Sequence, residues 1–437
     1  MIFSKANCGT FSTSVAIQAC GAGTGILAAR LLGPVARGEL ATVILWPTIL
    51  SNLGLMGCNW VVAREVAKDP RRESDWIAVG AAVGLAMSLV YLVAGYFLLT
   101  VFIPADRTYL LSLARLCLLL VPIDILNQML LSVDQGRMRW RRYNFLRLSY
   151  FLFYLFLICA IGLAHRSTIR WFVAAFLASQ FLSLLMRVWV HRSALSTFRM
   201  PFERCAFLMR QGAPYFGATI SNLISLQLDT ILVVSLFNAE AAGVYAVASA
   251  FANGQSSLGE ALGITSFAVL SNENNPQQRV KIITETFRQS TLVSCGAGIA
   301  LACLIPIVVV PFFGIGFSRA IRPAILLALA ASLMGSANIL NQGLRGAGRP
   351  HAGLMSQLAG AGVLAVAALF YFRGFGLMGM AYAVGLSACV QLVVLILAAA
   401  EWLETSPFKF WPFGAGNIKL FFRQLADLRL RYSRYPA

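Results

Sequence analysis

Ionisable side chains are scarce in this chain. Charged residues occupy only 12% of its 437 positions, 17 residues are acidic and three are histidine, whereas about a quarter of a typical soluble domain is charged. The nine cysteines occur singly, and none has the CxxC spacing typical of metal and dithiol sites. This scarcity argues against a soluble domain. It also predicts that the chain holds no metal and uses no cofactor.

Recognisable catalytic patterns are missing as well. The sequence contains no Ser/His/Asp arrangement, no P-loop and no Gly-rich phosphate-binding loop. We therefore predict no catalytic residue and no enzymatic activity. For the same reason an ATP-driven pump is not expected from this chain alone.

Long apolar runs are the main feature that the chain does have. Hydrophobic residues make up 59% of it, and a transmembrane helix needs about 20 of them in succession. The pattern predicts an all-α integral membrane protein with 12 transmembrane helices. The predicted spans are 11–29, 40–62, 76–103, 108–132, 145–164, 170–190, 212–237, 241–270, 287–313, 321–343, 351–372 and 377–400.

The distribution of positive charge indicates the orientation of these spans. Roughly three quarters of the 35 Lys and Arg residues fall in every second gap, beginning with the N-terminal segment. Cytoplasmic loops of membrane proteins carry such an excess. We therefore predict that both termini are cytoplasmic. The net charge of +18 is interpreted as a membrane feature, and no nucleic acid is expected as a partner.

The chain reads as two copies of one six-helix unit. The segment Leu27–Thr42 aligns with Leu232–Val247, so that Gly38 falls on Gly243. Because an even number of spans separates corresponding points, both halves enter the membrane from the same side. We predict two parallel-repeat six-helix lobes around a central cavity, one at 1–190 and the other at 212–400.

Two basic segments flank the second lobe. Arginines alternate with phenylalanines in 191–211, and Lys and Arg lie between apolar residues at helical spacing in 401–437. We predict an amphipathic cytoplasmic linker and a basic cytoplasmic tail, both of which contact membrane lipids with anionic headgroups. A binding site for a partner protein is the alternative for the tail.

Polar residues recur at helical spacing along the first two spans of each half. Such residues are costly against lipid and therefore face protein or water. If they face water, these four helices line the central cavity; packing between helices is the alternative for the Ser, Gly and Thr positions. The residues that we predict to line the cavity and bind substrate are Gln18, Arg30, Asn52, Asn59, Arg64, Asn222, Asp229, Asn253 and Glu260.

Four ionisable residues inside the spans receive specific predictions. Asp229 and Glu260 belong to the polar faces, and a buried carboxylate can couple transport to a proton or Na⁺. Arg115 and Asp124 lie on opposite faces of one predicted helix, so they cannot neutralise each other. We predict that each forms a structural ion pair with a partner elsewhere.

Three short motifs stand out along the chain. They are Leu-Leu-Gly-Pro-x-x-Arg-Gly-x-Leu-Ala at 31–41, Asp229 followed by Gly243-x-Tyr245-Ala246, and Gly-Ala-Gly-Arg-Pro at 346–350. Together they resemble the bacterial polysaccharide-biosynthesis flippases of the multidrug/oligosaccharidyl-lipid/polysaccharide exporter superfamily.

This resemblance implies a multi-pass protein of the bacterial inner membrane. It implies that the protein moves an undecaprenyl-diphosphate-linked oligosaccharide from the cytoplasmic to the periplasmic leaflet by alternating access. It also implies that cationic cavity residues hold the diphosphate, for which Arg30 and Arg64 are the candidate positions. Lipid II flippases of the superfamily usually carry two further C-terminal spans, which are not expected here after Ala400.

Two other functions remain open from the sequence. A multidrug exporter of the same superfamily would favour aromatic residues and carboxylates over arginine in its cavity, because its substrates are mostly cations. A membrane-embedded polysaccharide polymerase or glycosyltransferase commonly needs a large extracytoplasmic loop that carries catalytic residues. The outward gaps here are short and hold no paired carboxylates.

Overall fold

A computed structural model describes residues 5–103, 108–195, 202–271, 276–346 and 351–412. Within these ranges a few helical side chains, including those of Asn222 and of residues 256–271, are not described. Every regular element in the described ranges is a helix. The all-α fold class is therefore confirmed.

The described residues form a succession of long helices joined by short turns. They are α1 (Lys5–Gly54), α2 (Cys58–Lys68), α3 (Glu73–Phe102), α4 (Thr108–Cys117), α5 (Leu120–Gly136), α6 (Trp140–Leu163), α7 (Ile169–Val190), α8 (Arg192–Leu195), α9 (Phe202–Leu236), α10 (Ala239–Ser271), α11 (Pro276–Phe313), α12 (Ile321–Gly346) and α13 (His351–Trp402). Two short 3-10 helices lie between longer helices, at Pro70–Arg72 and Ile315–Ala320. A third follows α13 at Pro407–Phe410.

The first two predicted spans form one helical element with a sharp bend. Its apolar part, Ser12–Gly54, is 43 residues long and would measure about 65 Å if straight, roughly twice the thickness of a hydrocarbon core. Gly33 breaks the helix with a φ of 73° and a ψ of 177°. Only glycine adopts such a backbone readily, and Pro34 then lacks the N–H that would continue the helical bonding. The helix is therefore interrupted by a kink at Gly33–Pro34.

Nine segments among the described residues are long and apolar enough to cross a membrane. They are Ser12–Gly54, Pro70–Phe102, Thr108–Gly136, Trp140–Leu163, Ile169–Val190, Ile283–Phe313, Ile315–Leu344, His351–Tyr371 and Gly374–Trp402. The first covers two predicted spans, and each of the others coincides with one. The predicted spans 212–237 and 241–270 fall in α9 and α10, whose side chains are described only in part. The count of twelve crossings accordingly stays a prediction.

Internal contacts divide the chain into two compact units. The first comprises Met1–Val247 with Val310–Ser318, and the second comprises Ala248–Val309 with Arg319–Ala437. In the first, one face of α2 buries a row of valines where the helix packs on α5 and α9. In the second, the rings of Phe287 and Phe410 pack edge to face, with their centres 5.8 Å apart. The predicted lobes, linker and tail stay predictions, and 413–437 of the tail lies outside the described residues.

Charged residues at the ends of α3, α5, α6 and α7 form an ion cluster within the first unit. Glu73 at the start of α3 lies 2.8 Å from Arg139. Asp134 at the end of α5 is fully buried and lies 2.9 Å from Arg142. The buried ring of His191, just after α7, lies 3.5 Å from the other oxygen of Asp134. The cluster joins four helices at their predicted cytoplasmic ends.

Candidate functional site

The polar stripe of α1 meets polar residues of α6. Asn144 donates from Nδ2 to the hydroxyl of Thr10 at 3.1 Å, and Arg147 donates from Nη1 to the hydroxyl of Ser14 at 3.3 Å. Gln18, one turn further along the same face of α1, is exposed. These contacts build a polar strip of hydroxyl, amide and guanidinium groups along two neighbouring helices.

Arg147 is the functional candidate that the sequence interpretation missed. It lies inside the predicted span 145–164 but is not among the residues predicted to bind substrate. The structure starts α6 at Trp140, which places Arg147 two turns inside a membrane-spanning helix and leaves it half-buried. Among the described residues, no carboxylate oxygen lies within 4 Å of its guanidinium. An arginine inside a predicted span was the signal that could have identified it.

Arg30 contacts the end of another helix. Its Nε donates to the carbonyl of Phe312 at 2.8 Å, and its Nη2 donates to the carbonyl of Pro311. Both carbonyls belong to the last turn of α11, where helical partners are lacking. A cation at this end also complements the helix dipole. In this conformation Arg30 therefore caps α11, and its donors are directed at carbonyl groups.

Arg64 is partly neutralised by its neighbours. Its Nε lies 3.0 Å from Glu65, and its Nη2 donates to the side-chain oxygen of Gln211 in α9 at 3.2 Å. The Arg64 side chain is 36% exposed. It links α2 to α9, so it is available to an anion only if these contacts are exchanged.

The two asparagines predicted on the second span are half-buried. Asn52 donates from Nδ2 to the carbonyl of Thr48 at 2.8 Å, one turn back on the same helix. This leaves the amide oxygen of Asn52 as an acceptor. Asn59 lies near the start of α2.

Asp229 has neutral hydrogen-bond donors on both carboxylate oxygens. The buried hydroxyl of Tyr245 donates to Oδ2 at 2.7 Å. The backbone N–H of Thr230 donates to Oδ1 at 2.7 Å, and the Thr230 hydroxyl lies 3.2 Å from the same oxygen. The motif that joins Asp229 to Tyr245 in sequence therefore brings the two side chains together across α9 and α10.

The remaining predicted site residues are less informative. Asn253 is exposed on the part of α10 that belongs to the second unit. The side chains of Asn222 and Glu260 lie outside the described residues. Within the described residues no three metal-ligating side chains come together.

Arg115 and Asp124, for which ion pairs are predicted, make contacts of a different kind. The guanidinium of Arg115 lies 4.1 Å from the centre of the Tyr96 ring, a cation–π contact. Asp124 accepts a hydrogen bond from the Ser51 hydroxyl at 2.7 Å. Within the described part of the chain, no opposite charge lies within 4 Å of either group. The predicted ion pairs of Arg115 and Asp124 therefore stay predictions.

Comparisons with known proteins agree on the type of fold. Residues 6–258 match the model of a family described as polysaccharide biosynthesis protein. No curated protein matches the chain.

Several solved structures that resemble the chain are those of membrane transport proteins. The lipid II flippase MurJ in an inward closed conformation is 13% identical and has a TM-score of 0.76, with 98% of this chain and 93% of that chain covered. An inward-facing multidrug resistance MATE family transporter is 15% identical, with a TM-score of 0.67 and coverages of 90% and 94%. A MOP superfamily transporter from Pyrococcus furiosus, described as having a binding pocket of reverse polarity that suggests a different function, is 14% identical. Its TM-score is 0.56, and the coverages are 92% and 96%.

Proposed function

Because the chain belongs to the polysaccharide biosynthesis protein family, we propose that it moves an undecaprenyl-diphosphate-linked oligosaccharide from the cytoplasmic to the periplasmic leaflet of the bacterial inner membrane. Its fold is that of the MOP superfamily transporters and of a lipid II flippase. A glycan diphosphate cannot cross roughly 30 Å of hydrocarbon unaided. The protein replaces the water shell of the head group while the lipid tail stays in the bilayer.

The observation that carries this proposal is the environment of Arg147. Its half-buried guanidinium stands in a membrane-spanning helix, beside the hydroxyl of Ser14 and without a carboxylate nearby among the described residues. A charge in such a position is costly unless another group compensates it. A diphosphate would compensate it, because the planar guanidinium forms paired, charge-assisted bonds to phosphate oxygens.

Arg37 supports the same interpretation. It is half-buried in α1 and its Nε is buried without an acceptor. Arg37 and Arg147 have no carboxylate partner among the described residues, so they make their own surroundings attractive to an anion. This argues for an anionic lipid and against the multidrug-exporter alternative. The reverse pocket polarity described for the Pyrococcus furiosus transporter is a precedent for different pocket charges on this fold.

The sugar part of the substrate requires groups that both donate and accept hydrogen bonds. Thr10, Ser14 and Gln18 on α1 and Asn144 on α6 supply hydroxyls and amides next to Arg147. We propose that the glycan lies along this strip with its diphosphate at Arg147. The match covers 93% of the lipid II flippase chain. The length of the chain therefore does not discriminate between a lipid II-like glycan and a longer oligosaccharide as the substrate.

A flipping assay tests this function. The full chain would be reconstituted with a fluorescent undecaprenyl-diphosphate-linked oligosaccharide, and the leaflet of the probe would be measured by dithionite bleaching. We expect the wild-type chain to flip the probe and Arg147→Ala to be slower by roughly tenfold or more, since a hydrogen bond to a charged group contributes about 1.5–3 kcal/mol. Arg147→Lys should retain intermediate activity, because lysine keeps the positive charge but lacks the planar guanidinium that binds two phosphate oxygens at once.

The matched control is Arg141→Ala, which removes an exposed arginine from the same helix and should flip at the wild-type rate. Export of a cationic dye by the wild-type chain, with no movement of the lipid probe, would support the multidrug alternative. Wild-type flipping by Arg147→Ala would remove the observation on which the proposal rests.

A further inference from the structure

The chain turns back on itself directly after the last helix of the second unit. Helix α13 ends at Trp402, and Glu404 follows with a φ of 47°. The backbone N–H of Thr405 donates to the carbonyl of Ala400 at 2.9 Å, which closes the left-handed turn that commonly ends a helix. Glycine is the usual residue at the left-handed position, so a glutamate leaves this turn strained.

A short 3-10 helix follows the turn. The Ser406 hydroxyl accepts a hydrogen bond from the backbone N–H of Phe408, and Pro407 occupies the first helical position, where no N–H is needed. Residues three apart lie on one side of a 3-10 helix. Phe408 and Trp411 therefore share the outer side, on which they are 87% and 63% exposed, whereas Phe410 points the other way and is 1% exposed.

The ring of Phe410 is inserted among the ends of three membrane helices of the second unit. It packs edge to face on the ring of Phe287, near the start of α11. The predicted orientation places the start of α11 and the ends of α12 and α13 on the cytoplasmic side. We name the buried residues that surround the ring the seat, which includes Ile283 and Phe287 of α11, Leu340 and Leu344 of α12, and Ala399 and Ala400 of α13.

The outer side of the 3-10 helix has the composition of a membrane-surface contact. The exposed Lys409 lies between Phe408 and Trp411, and the last apolar segment ends nearby at Trp402. Aromatic rings close to the end of a membrane span are typical of the interface between lipid and water. A lysine beside them favours a leaflet with anionic headgroups.

We propose that Ser406–Trp411 is a lipid-dependent clasp. Phe410 holds the ends of α11, α12 and α13 together, and contact between the outer side and anionic lipid keeps the clasp closed. The 3-10 helix has only four residues and follows a strained turn, so it depends on contacts at both of its sides. Loss of the lipid contact releases Phe410 and lets the three helix ends separate. The clasp does not depend on which substrate the chain carries.

Removal of the Phe410 ring tests the seat. The probe is Ala400→Cys, a small change within the seat, in a full-length chain whose native cysteines are replaced and which is reconstituted in lipid nanodiscs. We expect Phe410→Ala to raise the rate of maleimide labelling several-fold, because the seat is then open to water. Phe410→Leu keeps a large apolar side chain and should label at close to the wild-type rate. The matched control is Phe370→Ala, which removes an exposed ring from α13 and should leave labelling unchanged.

Nanodiscs of phosphatidylcholine with and without phosphatidylglycerol test the lipid contact. In the wild-type clasp, labelling of Ala400→Cys should be several-fold faster without the anionic lipid. Lys409→Gln should label at this faster rate in both lipids, whereas Lys409→Arg should keep the difference between them. Since Lys409 is exposed, neither substitution disturbs the packing of the seat.

Hydrogen exchange of 340–346 in the full chain with its native cysteines provides a second measurement. We expect faster exchange in Phe410→Ala than in Phe370→Ala. Equal labelling and equal exchange in the wild type and Phe410→Ala, or equal rises in Phe410→Ala and Phe370→Ala, would overturn the clasp. Equal labelling of the wild type in the two lipids would overturn its dependence on anionic lipid. No substrate is needed, so these outcomes are separate from those of the flipping assay.

Discussion

At the scale of single residues, the contacts of an arginine indicated its suitability for binding a diphosphate better than the residue type alone. Arg30 and Arg64 were the arginines that the sequence favoured for a diphosphate, yet one caps α11 and the other contacts Glu65 and Gln211. Arg147 donates to the Ser14 hydroxyl, and no carboxylate oxygen among the described residues lies within 4 Å of its guanidinium. Sequence reasoning could not separate the three because the partner carbonyls of Arg30 lie more than 280 positions away along the chain.

Asp229 carries the prediction on ion coupling. Within the described residues its two oxygens accept hydrogen bonds from the neutral donors of Tyr245 and Thr230, so a proton or Na⁺ can bind without displacing a salt bridge. If this group couples transport, Asp229→Asn should abolish the stimulation of flipping by an imposed pH or Na⁺ gradient and leave a basal rate. The comparison is Glu203→Gln, which removes an exposed carboxylate from the same helix. Full gradient stimulation in Asp229→Asn would exclude Asp229 as the coupling residue, and Glu260→Gln would then be tested.

At the scale of elements, the helices could be predicted and their tertiary contacts could not. Apolar runs of 20 residues or more leave a membrane chain little choice but to form helices, and most predicted spans coincide with observed segments. The bend at Gly33–Pro34 falls on a Gly-Pro pair, which is a turn signal in a sequence. The close contact between Gly38 and Gly243 could not be predicted. An alignment of repeats shows which residues are equivalent and says nothing about the distance between them.

The ion cluster at the helix ends predicts a dependence of stability on pH. Burial lowers the pKa of His191 to about 4, although a hydrogen bond from Nδ1 to the carbonyl of Arg187 opposes this. Burial raises the pKa of the neighbouring Asp134 to about 6, and this carboxyl contributes a slope of the opposite sign. Between pH 6.5 and 4 the unfolded chain binds a proton at His191 that the folded chain does not, so the His191 contribution to the free energy of unfolding falls as the pH is lowered through this window. The fall should be at most about 3 kcal/mol, and above pH 6.5 this group contributes no slope.

Thermal unfolding of the full chain in detergent between pH 4 and 8 measures this effect. His191→Gln should remove the His191 contribution, so on acidification from pH 6.5 to 4 the variant should lose less stability than the wild type. The exposed His165 provides the control, since His165→Asn should keep the wild-type slope. A slope that survives in His191→Gln would assign the acid sensitivity to another group of the cluster.

At the scale of the whole molecule, the class of protein followed from composition and the fold from periodicity and internal repetition. A chain with 59% hydrophobic and 12% charged residues has to lie in a membrane. The family match and the similar transporter structures support this placement. The charge of the site was harder to predict, because it depends on which arginines are left uncompensated after the helices have packed, and packing partners are distant in sequence.

The direction of transport depends on the orientation of the whole molecule, which single-cysteine labelling in intact cells can determine. Ser167, in the turn between α6 and α7, and Arg71, in the turn before α3, are both exposed. The excess of Lys and Arg around Arg71 opposes its translocation, whereas the turn at Ser167 carries few charges. With the native cysteines replaced, Ser167→Cys should therefore react with an impermeant maleimide added outside, and Arg71→Cys should react only after the membrane is permeabilised. The reverse pattern would place the turn at Ser167 in the cytoplasm and would contradict the predicted orientation.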